Sequence, residues 1–354
     1  MKSLYIHIPF CKHRCYYCDF NSYSNIDNLI DDYMIALKKE IQSYSFSEYK
    51  TIYFGGGTPS YVDERKIVEI LKLIDYKTAE EVTIEVNPGT VNKEKLQYYI
   101  DNGINRLSIG LQATQNDILK AIGRIHTLQE FEKTFLDARE VGFKNISVDL
   151  MFGLPNQTLE DVNESLEYII KLKPEHISCY SLILHQKIFD NLPSDEDERE
   201  MYYLIIDKLR EAGYKHYEIS NFAKPGYESK HNLVYWNQGE YVGAGAGASS
   251  YIDNKRYSNV SNIKEYINNY DNRTIEEIQS EEDKEREYII LKLRLIEGIN
   301  IEEINEKFNI NACEKYKEQI EKLMKIALLE KDEKKIRLTK KGLDLANVVW
   351  QEFI

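Results

Sequence analysis

The chain lacks an apolar run long enough to cross a membrane, and it lacks an excess of positive charge. Its 354 residues include 46 Lys and Arg against 59 Asp and Glu, which gives a net charge of −13. Proteins that grip phosphate backbones are usually basic, so we expect no nucleic-acid partner. His7 and Pro9 interrupt the opening stretch too early for the apolar core of a signal peptide. These absences predict a cytoplasmic protein.

Cysteine is also scarce, and its placement argues against a disulfide framework. The chain has 5 cysteines, an odd number, and three of them crowd together as Cys11, Cys15 and Cys18. The other two, Cys179 and Cys313, stand far apart. Disulfides are rare in a reducing cytoplasm. The triplet therefore indicates metal binding.

The first predicted β–α turn lacks the glycine fingerprint of a dinucleotide-binding sheet and carries the three cysteines instead. Short apolar runs alternate with amphipathic helical patterns up to about residue 215, which predicts parallel strands joined by right-handed crossovers. Two α/β architectures remain open, a partial (β/α)6 TIM-like barrel and an open doubly wound sheet, and the missing fingerprint favours the barrel. The strand candidates are residues 4–8, 51–54, 82–86, 106–109, 146–150 and 176–182, with helices near 28–44, 92–102, 128–141 and 195–212.

The pattern changes after residue 215, so we divide the chain into three parts. Residues 1–215 form the barrel, residues 216–280 an irregular extension, and residues 281–354 a C-terminal winged-helix-like α+β module. Within the extension, the composition predicts a loop over residues 221–226 and an irregular, glycine-rich stretch over residues 231–250.

In the C-terminal module, two helices precede a hairpin, and Thr339 is a good N-cap for a final helix. The module holds 15 Lys and Arg against 17 Asp and Glu. This near-neutral charge balance favours a docking or lid domain over a DNA-binding domain.

The cysteine triplet has the spacing C-x3-C-x2-C, from Cys11 to Cys18. Thiolates are the preferred ligands of iron–sulfur clusters, and three of them leave one iron of a cubane open. The alternative is a Cys3His zinc site completed by His13 or a distant residue, although structural zinc usually uses separated cysteine pairs. The spacing resembles the signature of the radical S-adenosylmethionine (SAM) superfamily, in which the open iron of a [4Fe–4S] cluster is chelated by SAM.

The wider sequence resembles one branch of that superfamily over nearly its whole length. The entry into the triplet, residues 5–11, and the stretches Gly55-Gly-Gly-Thr-Pro59 and Asp149-Leu-Met-Phe-Gly-Leu-Pro155 are similar to those of oxygen-independent coproporphyrinogen III oxidase and its HemW-type heme chaperone relatives. The resemblance implies a radical SAM type of partial barrel.

Three polar residues, Glu85, Gln112 and Asp149, stand at or just beyond the ends of predicted strands, at the barrel face that holds the chemistry in such folds. Taken singly, a carboxylate there is more often a helix cap or a surface ion-pair partner, and the glycine run is as often a tight turn. The resemblance implies that SAM is bound by Tyr5, Tyr17, Gly56, Gly57, Thr58, Glu85, Gln112, Arg124 and Asp149, and the cluster by Cys11, Cys15 and Cys18.

Two features favour the chaperone branch over the oxidase branch. The oxidase resemblance calls for a further cysteine where this chain has Phe20, and for a long segment before Cys11, which only ten residues precede. The stretch His231-Asn-Leu-Val-Tyr-Trp236 looks like the H-N-x-x-Y-W motif of HemW-type proteins. There His231 is a candidate heme ligand and the aromatic neighbours would stack on a porphyrin. The alternative is a packed core histidine.

The chain also departs from these relatives in two places. Ser249 stands where a histidine is often found, and residues 181–187 lack the acidic and glycine residues often seen there.

We therefore expect a heme chaperone that binds a [4Fe–4S] cluster, SAM and heme, and that is not itself an enzyme. Heme would pass to an acceptor protein, with a membrane respiratory haemoprotein as the candidate. One alternative is a radical SAM oxidoreductase acting on a tetrapyrrole, such as the oxidase, and the other is a zinc-binding structural protein. The sequence assigns no catalytic residue and leaves a homodimer open.

Overall fold

Six parallel strands alternate with helices in the first half of the chain. The structure, a computed structural model, describes residues 2–45, 48–184 and 188–354. The strands are β1 (Lys2–Ile8), β2 (Tyr49–Gly56), β3 (Glu81–Val86), β4 (Arg106–Gln112), β5 (Ile146–Phe152) and β6 (His176–Ser181). The helices are α1 (Ile30–Ser43), α2 (Glu64–Leu71), α3 (Lys93–Asp101), α4 (Asn116–Ala121), α5 (Leu128–Glu140), α6 (Leu159–Leu172) and α7 (Asp195–Glu211). The predicted strands and the parallel sheet are confirmed.

The helices begin where the sequence supplies caps, and they bury one apolar face against the sheet. Thr127 and Thr158 each form a reciprocal capping box at the start of α5 and α6. Ile67 and Leu71 of α2 are fully buried in the main core beside strand residues such as Ile52. No helix in the described ranges is both long and apolar enough to cross a membrane.

The second half of the chain extends the sheet at both ends. Its elements are β7 (Lys215–Glu218), β8 (Asn221–Ala223), α8 (Lys230–Trp236), β9 (Tyr241–Ala244), β10 (Ser249–Ile252), β11 (Lys255–Asn259), α9 (Ile263–Asn268) and β12 (Arg273–Ile278). The twelve strands run in the order β12-β11-β10-β9-β1-β2-β3-β4-β5-β6-β8-β7. In the described part of the chain the outermost strands do not pair with each other, so the barrel is incomplete.

The interpretation of residues 216–280 as irregular is wrong. Residues 221–223, predicted as a loop, form β8, which pairs with β6 and places Phe222 fully inside the core. The glycine-rich stretch contains β9, which lies parallel to β1. Gly243 is required there, because a Cβ atom would lie 2.2 Å from the carbonyl oxygen of Ser249. The high glycine content gave no sign of β9, because this strand is stabilised by pairing with β1, which is far away in the sequence. The predicted domain limits stay a prediction.

The C-terminal module has its own core and a three-stranded antiparallel sheet. It contains α10 (Glu281–Lys292), β13 (Ile299–Asn300), α11 (Ile301–Phe308), α12 (Ala312–Lys315), α13 (Lys317–Lys325), β14 (Leu329–Lys331), β15 (Lys335–Leu338), α14 (Lys340–Asp344) and α15 (Ala346–Gln351). The predicted hairpin is β14–β15, and Thr339 caps α14 as expected. The module contacts the barrel through an ion pair between Arg199 of α7 and Asp344, with 2.6 Å between N and O.

Candidate functional site

The three clustered cysteines lie on the loop that follows β1, and backbone hydrogen bonds hold this loop in place. The Cys11 N–H donates to the Tyr23 carbonyl at 2.9 Å, and the Tyr16 N–H donates to the Ile122 carbonyl at 3.1 Å. Cys11 is buried, whereas Cys15 and Cys18 are half-buried. The loop therefore presents its thiols from a fixed backbone at the carboxyl end of the first strand.

Each thiol has a polar neighbour of its own. Thr58 donates from Oγ1 to Cys11 Sγ at 3.4 Å, and Arg124 donates from Nη1 to Cys15 Sγ at 3.7 Å. Burial raises the pKa of the Cys11 thiol, and the nearby Cys18 and Cys15 thiols raise it further. Among the described residues no three His, Cys, Asp or Glu side chains converge as they would around a single metal ion.

A cavity of about 340 Å³ opens beside the cysteines, over the carboxyl ends of β2 to β5, and we call it the cluster cavity. Almost every residue predicted to hold the cluster or SAM lines this cavity, although these residues come from four strands, β2 to β5, and from three separate loops. They are Cys11, Cys15, Tyr17, Cys18, Gly56, Gly57, Thr58, Glu85, Gln112, Arg124 and Asp149.

Gly56 and Gly57 were expected to let the backbone approach a ligand. In the structure both glycines are required because other protein atoms lie close to them. A Cβ atom on Gly56, whose φ is +117°, would lie 2.6 Å from the His7 ring. A Cβ atom on Gly57 would lie 3.0 Å from Cys11 Sγ. The glycine run therefore lets the second loop pack directly against β1 and the cysteine loop.

Two carboxylates face this cavity, and burial changes their acidity. Glu85 accepts hydrogen bonds from the Tyr53 hydroxyl at 2.9 Å and from the Gly56 N–H at 3.2 Å. Burial raises the pKa of Glu85 to about 7, with a contribution from the negative charge of Asp149. Burial also raises the pKa of Asp149, although Ser108 donates to both of its oxygens at 3.0 and 3.1 Å. The cavity thus holds two carboxyl groups suited to an ammonium or hydroxyl ligand.

Asn87 was not among the predicted residues, yet it joins two of them. Its Nδ2 donates to Thr58 Oγ1 at 2.7 Å, and its Oδ1 accepts from Arg124 Nη2 at 2.9 Å. Arg124 also donates to the Gly110 carbonyl at 2.6 Å. Asn87 stands just after the β3 end, two residues beyond Glu85, and that position was the available signal. Gln112 has a φ of +75°, a strained conformation of the kind found at binding sites.

Tyr5 lies outside the cluster cavity, in the wall of a second cavity of about 500 Å³, which we call the aromatic cavity. Its walls come from β1, the cysteine loop, α8, β9 to β11 and α10. Asp19 and Phe20 line both cavities and separate them. The aromatic cavity is lined by residues that include Tyr5, His7, Phe20, Tyr235, Trp236, Gln238, Tyr241, Ser249, Tyr251, Arg256, Glu287 and Leu291.

His231 lies behind the aromatic cavity and does not line it. Its exposed fraction is 1%, and its ring stacks on Tyr53 with 5.0 Å between centroids. The Thr51 hydroxyl donates to Ser3, so His231 Nδ1–H donates to Thr51 Oγ1 at 2.7 Å and Nε2 accepts from the Tyr235 hydroxyl at 2.7 Å. Burial lowers the pKa of His231 to about 3. The ring is neutral and both of its nitrogens are engaged.

The donor set of the cluster cavity fits the cofactors that the sequence indicates. The three thiols on one short loop would supply three ligands to a cubane, and the cavity that they line also offers polar side chains to a further ligand. Glu85 and Asp149 offer acceptors for an amino group and for hydroxyls. Thr58 and Arg124 donate hydrogen bonds to the sulfur atoms of Cys11 and Cys15. His185 to Lys187, within the divergent stretch noted above, lie outside the described residues.

Family models match both ends of the chain. The radical SAM superfamily model matches residues 5–169, and the HemN C-terminal domain model matches residues 279–345. The fold is similar to the solved coproporphyrinogen III oxidase (HemN) from Escherichia coli, a radical SAM enzyme, with a TM-score of 0.86 and 26% identity over 99% of this chain and 89% of that one. Fold and site thus define a radical SAM protein with a HemN-like architecture.

Sequence relatives narrow this class. The chain is 40% identical over 367 residues to the heme chaperone HemW of Lactococcus lactis subsp. lactis, across 99% of this chain and 97% of the relative. It is 39% identical over 377 residues to HemW of Bacillus subtilis, across 100% and 99%. The chain belongs to the HemW heme chaperone family of radical SAM proteins. The family implies a [4Fe–4S] cluster and SAM.

Proposed function

We propose that this chain is a heme chaperone that binds a [4Fe–4S] cluster through Cys11, Cys15 and Cys18, binds SAM in the cluster cavity, and passes one heme to an acceptor protein. The observation that carries this proposal is the presence of two adjoining cavities with different chemistry. One is lined by the three cysteine thiols together with Glu85 and Asp149, and the other by Trp236 and four tyrosines together with Arg256 and Glu287. A single protein thus offers separate places for a cofactor and for a flat macrocyclic cargo.

In the cluster cavity, Glu85 and Asp149 would bind the amino group and a ribose hydroxyl of SAM, with Gln112 as a further polar contact. Arg124 would help to position Cys15, because its Nη1 donates a hydrogen bond to the sulfur at 3.7 Å. When bound, the cluster and SAM would supply redox chemistry. The location we propose is the cytoplasm, where a reducing environment protects thiol ligands.

The experiment is an anaerobic reconstitution followed by titration with heme. We expect about four irons and four sulfides per chain, the stoichiometry of one cubane, and saturable binding of one heme. Apo-haemoprotein added to the heme-loaded protein should gain heme. Iron-free protein would contradict the cluster, and failure to bind heme would contradict the chaperone function. Zinc in place of iron would support the structural-protein alternative.

A second candidate function is favoured by the likeness to the solved coproporphyrinogen III oxidase. In this chain the residue that separates the cavities is Phe20, with an exposed fraction of 66%, where the oxidase resemblance calls for a cysteine. We therefore expect no decarboxylation when the reconstituted protein is incubated with coproporphyrinogen III, SAM and a reductant. Substrate-dependent release of CO2 would establish an enzyme.

A further inference from the structure

Two of the three clustered thiols accept hydrogen bonds from side chains outside the cysteine loop. Thr58 donates from Oγ1 to Cys11 Sγ at 3.4 Å, and Arg124 donates from Nη1 to Cys15 Sγ at 3.7 Å. The thiol of Cys18 has a hydroxyl neighbour within its own loop instead. Hydrogen bonds to cysteine sulfur are one of the factors that set the reduction potential of an iron–sulfur cluster. Whatever orients these two donors therefore bears on the potential.

Asn87 lies between these two donors and bonds to both. Its Oδ1 accepts from Arg124 Nη2 at 2.9 Å, and its Nδ2 donates to Thr58 Oγ1 at 2.7 Å. A guanidinium can only donate hydrogen bonds, so the amide oxygen of Asn87 must face Arg124. The amide nitrogen must then face Thr58. The chemistry of the two neighbours thus fixes which way the Asn87 amide points.

The orientation of the Asn87 amide decides where the Thr58 hydroxyl sends its proton. A hydroxyl group has one proton to donate, and the Thr58 oxygen already receives a proton from the amide nitrogen. Thr58 has an exposed fraction of 3%, so little of it is open to solvent. Its own proton is directed to Cys11 Sγ. A donor at Asn87 therefore makes Thr58 a donor to the sulfur.

The surroundings of Asn87 hold it in place. Its N–H donates to Ser60 Oγ at 3.2 Å, and its carbonyl accepts from the Thr90 N–H at 3.1 Å and from the Thr90 hydroxyl at 2.7 Å. On the opposite side, a Cβ atom on Gly110 would lie 2.9 Å from Arg124 Nη2 and 3.1 Å from Asn87 Oδ1. Glycine at that position leaves room for the contact between the amide and the guanidinium. An anchored amide can impose its orientation on the neighbouring donors.

We propose that Asn87 is a positioning residue for the [4Fe–4S] cluster, because its amide orients Thr58 and Arg124 to donate to two cluster sulfurs and thereby raises the reduction potential. This inference rests on the proposed cluster binding and adds a residue to it. Cysteine sulfur carries more negative charge after a cluster has taken up an electron. A hydrogen bond to that sulfur therefore stabilises the reduced cluster more than the oxidised one. Loss of either hydrogen bond should make the potential more negative.

The test is a redox titration of the anaerobically reconstituted full chain without SAM. Dithionite supplies the single electron that the cluster takes up, and the EPR signal of the reduced cluster is followed against the solution potential. Asn87→Asp replaces the amide nitrogen by an acceptor, so the Thr58 hydroxyl should turn from Cys11 to the new carboxylate. We expect a more negative potential than in the wild type. We also expect loss of the cluster to a chelator to be on the order of tenfold faster.

A second variant separates the hydrogen bond from the added charge. Thr58→Val removes the hydroxyl without adding a charge and should also make the potential more negative, whereas Thr58→Ser should keep the wild-type value. If Asn87 acts through Thr58, the shift in the double variant of Asn87→Asp and Thr58→Val should be smaller than the sum of the two single shifts. Fully additive shifts would show that the new carboxylate acts directly and would contradict the proposal.

The matched control is Asn92→Asp, which makes the same chemical change further along the same loop. Asn92 is exposed and caps α3 by accepting from the Lys95 N–H at 2.8 Å, a role that aspartate also fills. The potential and the rate of cluster loss should equal those of the wild type. Asn87→Ala removes both contacts without adding a charge and should shift the potential in the same direction as Asn87→Asp. It keeps the test available if the aspartate variant takes up no cluster.

The outcomes separate this inference from the proposed function. If the wild-type protein takes up no cluster, the proposed cluster binding itself fails. If the cluster forms but the Asn87 and Thr58→Val variants keep the wild-type potential, Asn87 is not a positioning residue and the cluster binding stands. A shift in Asn92→Asp as large as that in Asn87→Asp would likewise overturn the assignment, because it would show a general effect of charge.

Discussion

The two cavities are built in opposite ways. The cluster cavity takes its residues from the carboxyl ends of consecutive parallel strands, so short motifs such as residues 11–18 and 55–59 carry it. The aromatic cavity takes residues from β1, α8, β9 to β11 and α10, which are far apart in sequence. The first holds the three thiols with Glu85 and Asp149, whereas the second holds Trp236 and four tyrosines together with Arg256 and Glu287. The comparison predicts that the proposed cofactor and the proposed cargo would be bound independently of each other.

The largest expected effect concerns the thiols alone. Cys15→Ser should abolish the cluster, because an alcohol replaces one of three thiolate ligands. Heme affinity should stay close to that of the wild type, since no cluster cysteine lines the aromatic cavity. Iron and sulfide analysis with a parallel heme titration measures both. Cys313→Ser, in the C-terminal module, is the matched control and should retain the cluster. Joint loss of cluster and heme would show that the cavities depend on each other.

The next largest effect is expected for Glu85, the ionisable carboxyl group of the cluster cavity. Glu85→Gln should weaken SAM binding by roughly 10- to 100-fold, because it removes a charged hydrogen-bond acceptor. In the wild type the pKa of Glu85 is about 7, so the carboxylate is lost as the pH falls below that value. SAM affinity should therefore fall by about tenfold between pH 8 and pH 6. Calorimetry at both pH values measures this. An equal pH dependence in Glu85→Gln would assign the effect to another group.

A smaller effect is expected for Arg124, whose guanidinium joins the cysteine loop to the carboxyl ends of β3 and β4. Arg124→Lys keeps the charge but cannot bond Asn87, Gly110 and Cys15 at once. The cluster should be lost on the order of tenfold faster on exposure to a chelator, while heme binding is unchanged. Bleaching of the cluster absorption against time measures the rate. A rate equal to that of the wild type would contradict the role of Arg124.

The smallest effect should be the one shared by both sites. Phe20 separates the cavities and is largely exposed, so Phe20→Ala removes wall surface from each without a charge or ligand. We expect heme affinity and SAM affinity each to fall by a few-fold, corresponding to about 1 kcal/mol of lost contact. Ile183→Ala is a useful control, because Ile183 lines the cluster cavity alone. It should leave heme affinity unchanged.

The same contrast explains what could be predicted from the sequence. Cys11, Glu85 and Asp149 stand at strand ends, and parallel strands bring their carboxyl ends to one edge, so a local pattern was enough to find the cluster cavity. Tyr241 and Arg256 become neighbours only through the pairing of β9, β10 and β11, which glycine-rich composition concealed. Non-local strand pairing leaves little periodic signal in a single sequence.

The motif around His231 shows a second limit. Sequence resemblance implied an iron ligand, but burial and two hydrogen bonds are properties of the folded chain. Tyr5 was expected beside SAM, and it lies on the other side of the dividing wall. A motif identifies residue types, while the fold decides which cavity each one faces. The assignment of Tyr5 and His231 therefore stays a prediction.

A crystal structure of the anaerobically reconstituted protein with SAM and ferric heme would test the separation of the two sites most directly. We predict cluster and SAM density over Cys11, Cys15 and Cys18, with the macrocycle between Phe20 and Tyr241 on the far side of the wall. Macrocycle density stacked over the cluster, in the space lined by Glu85 and Asp149, would contradict the account.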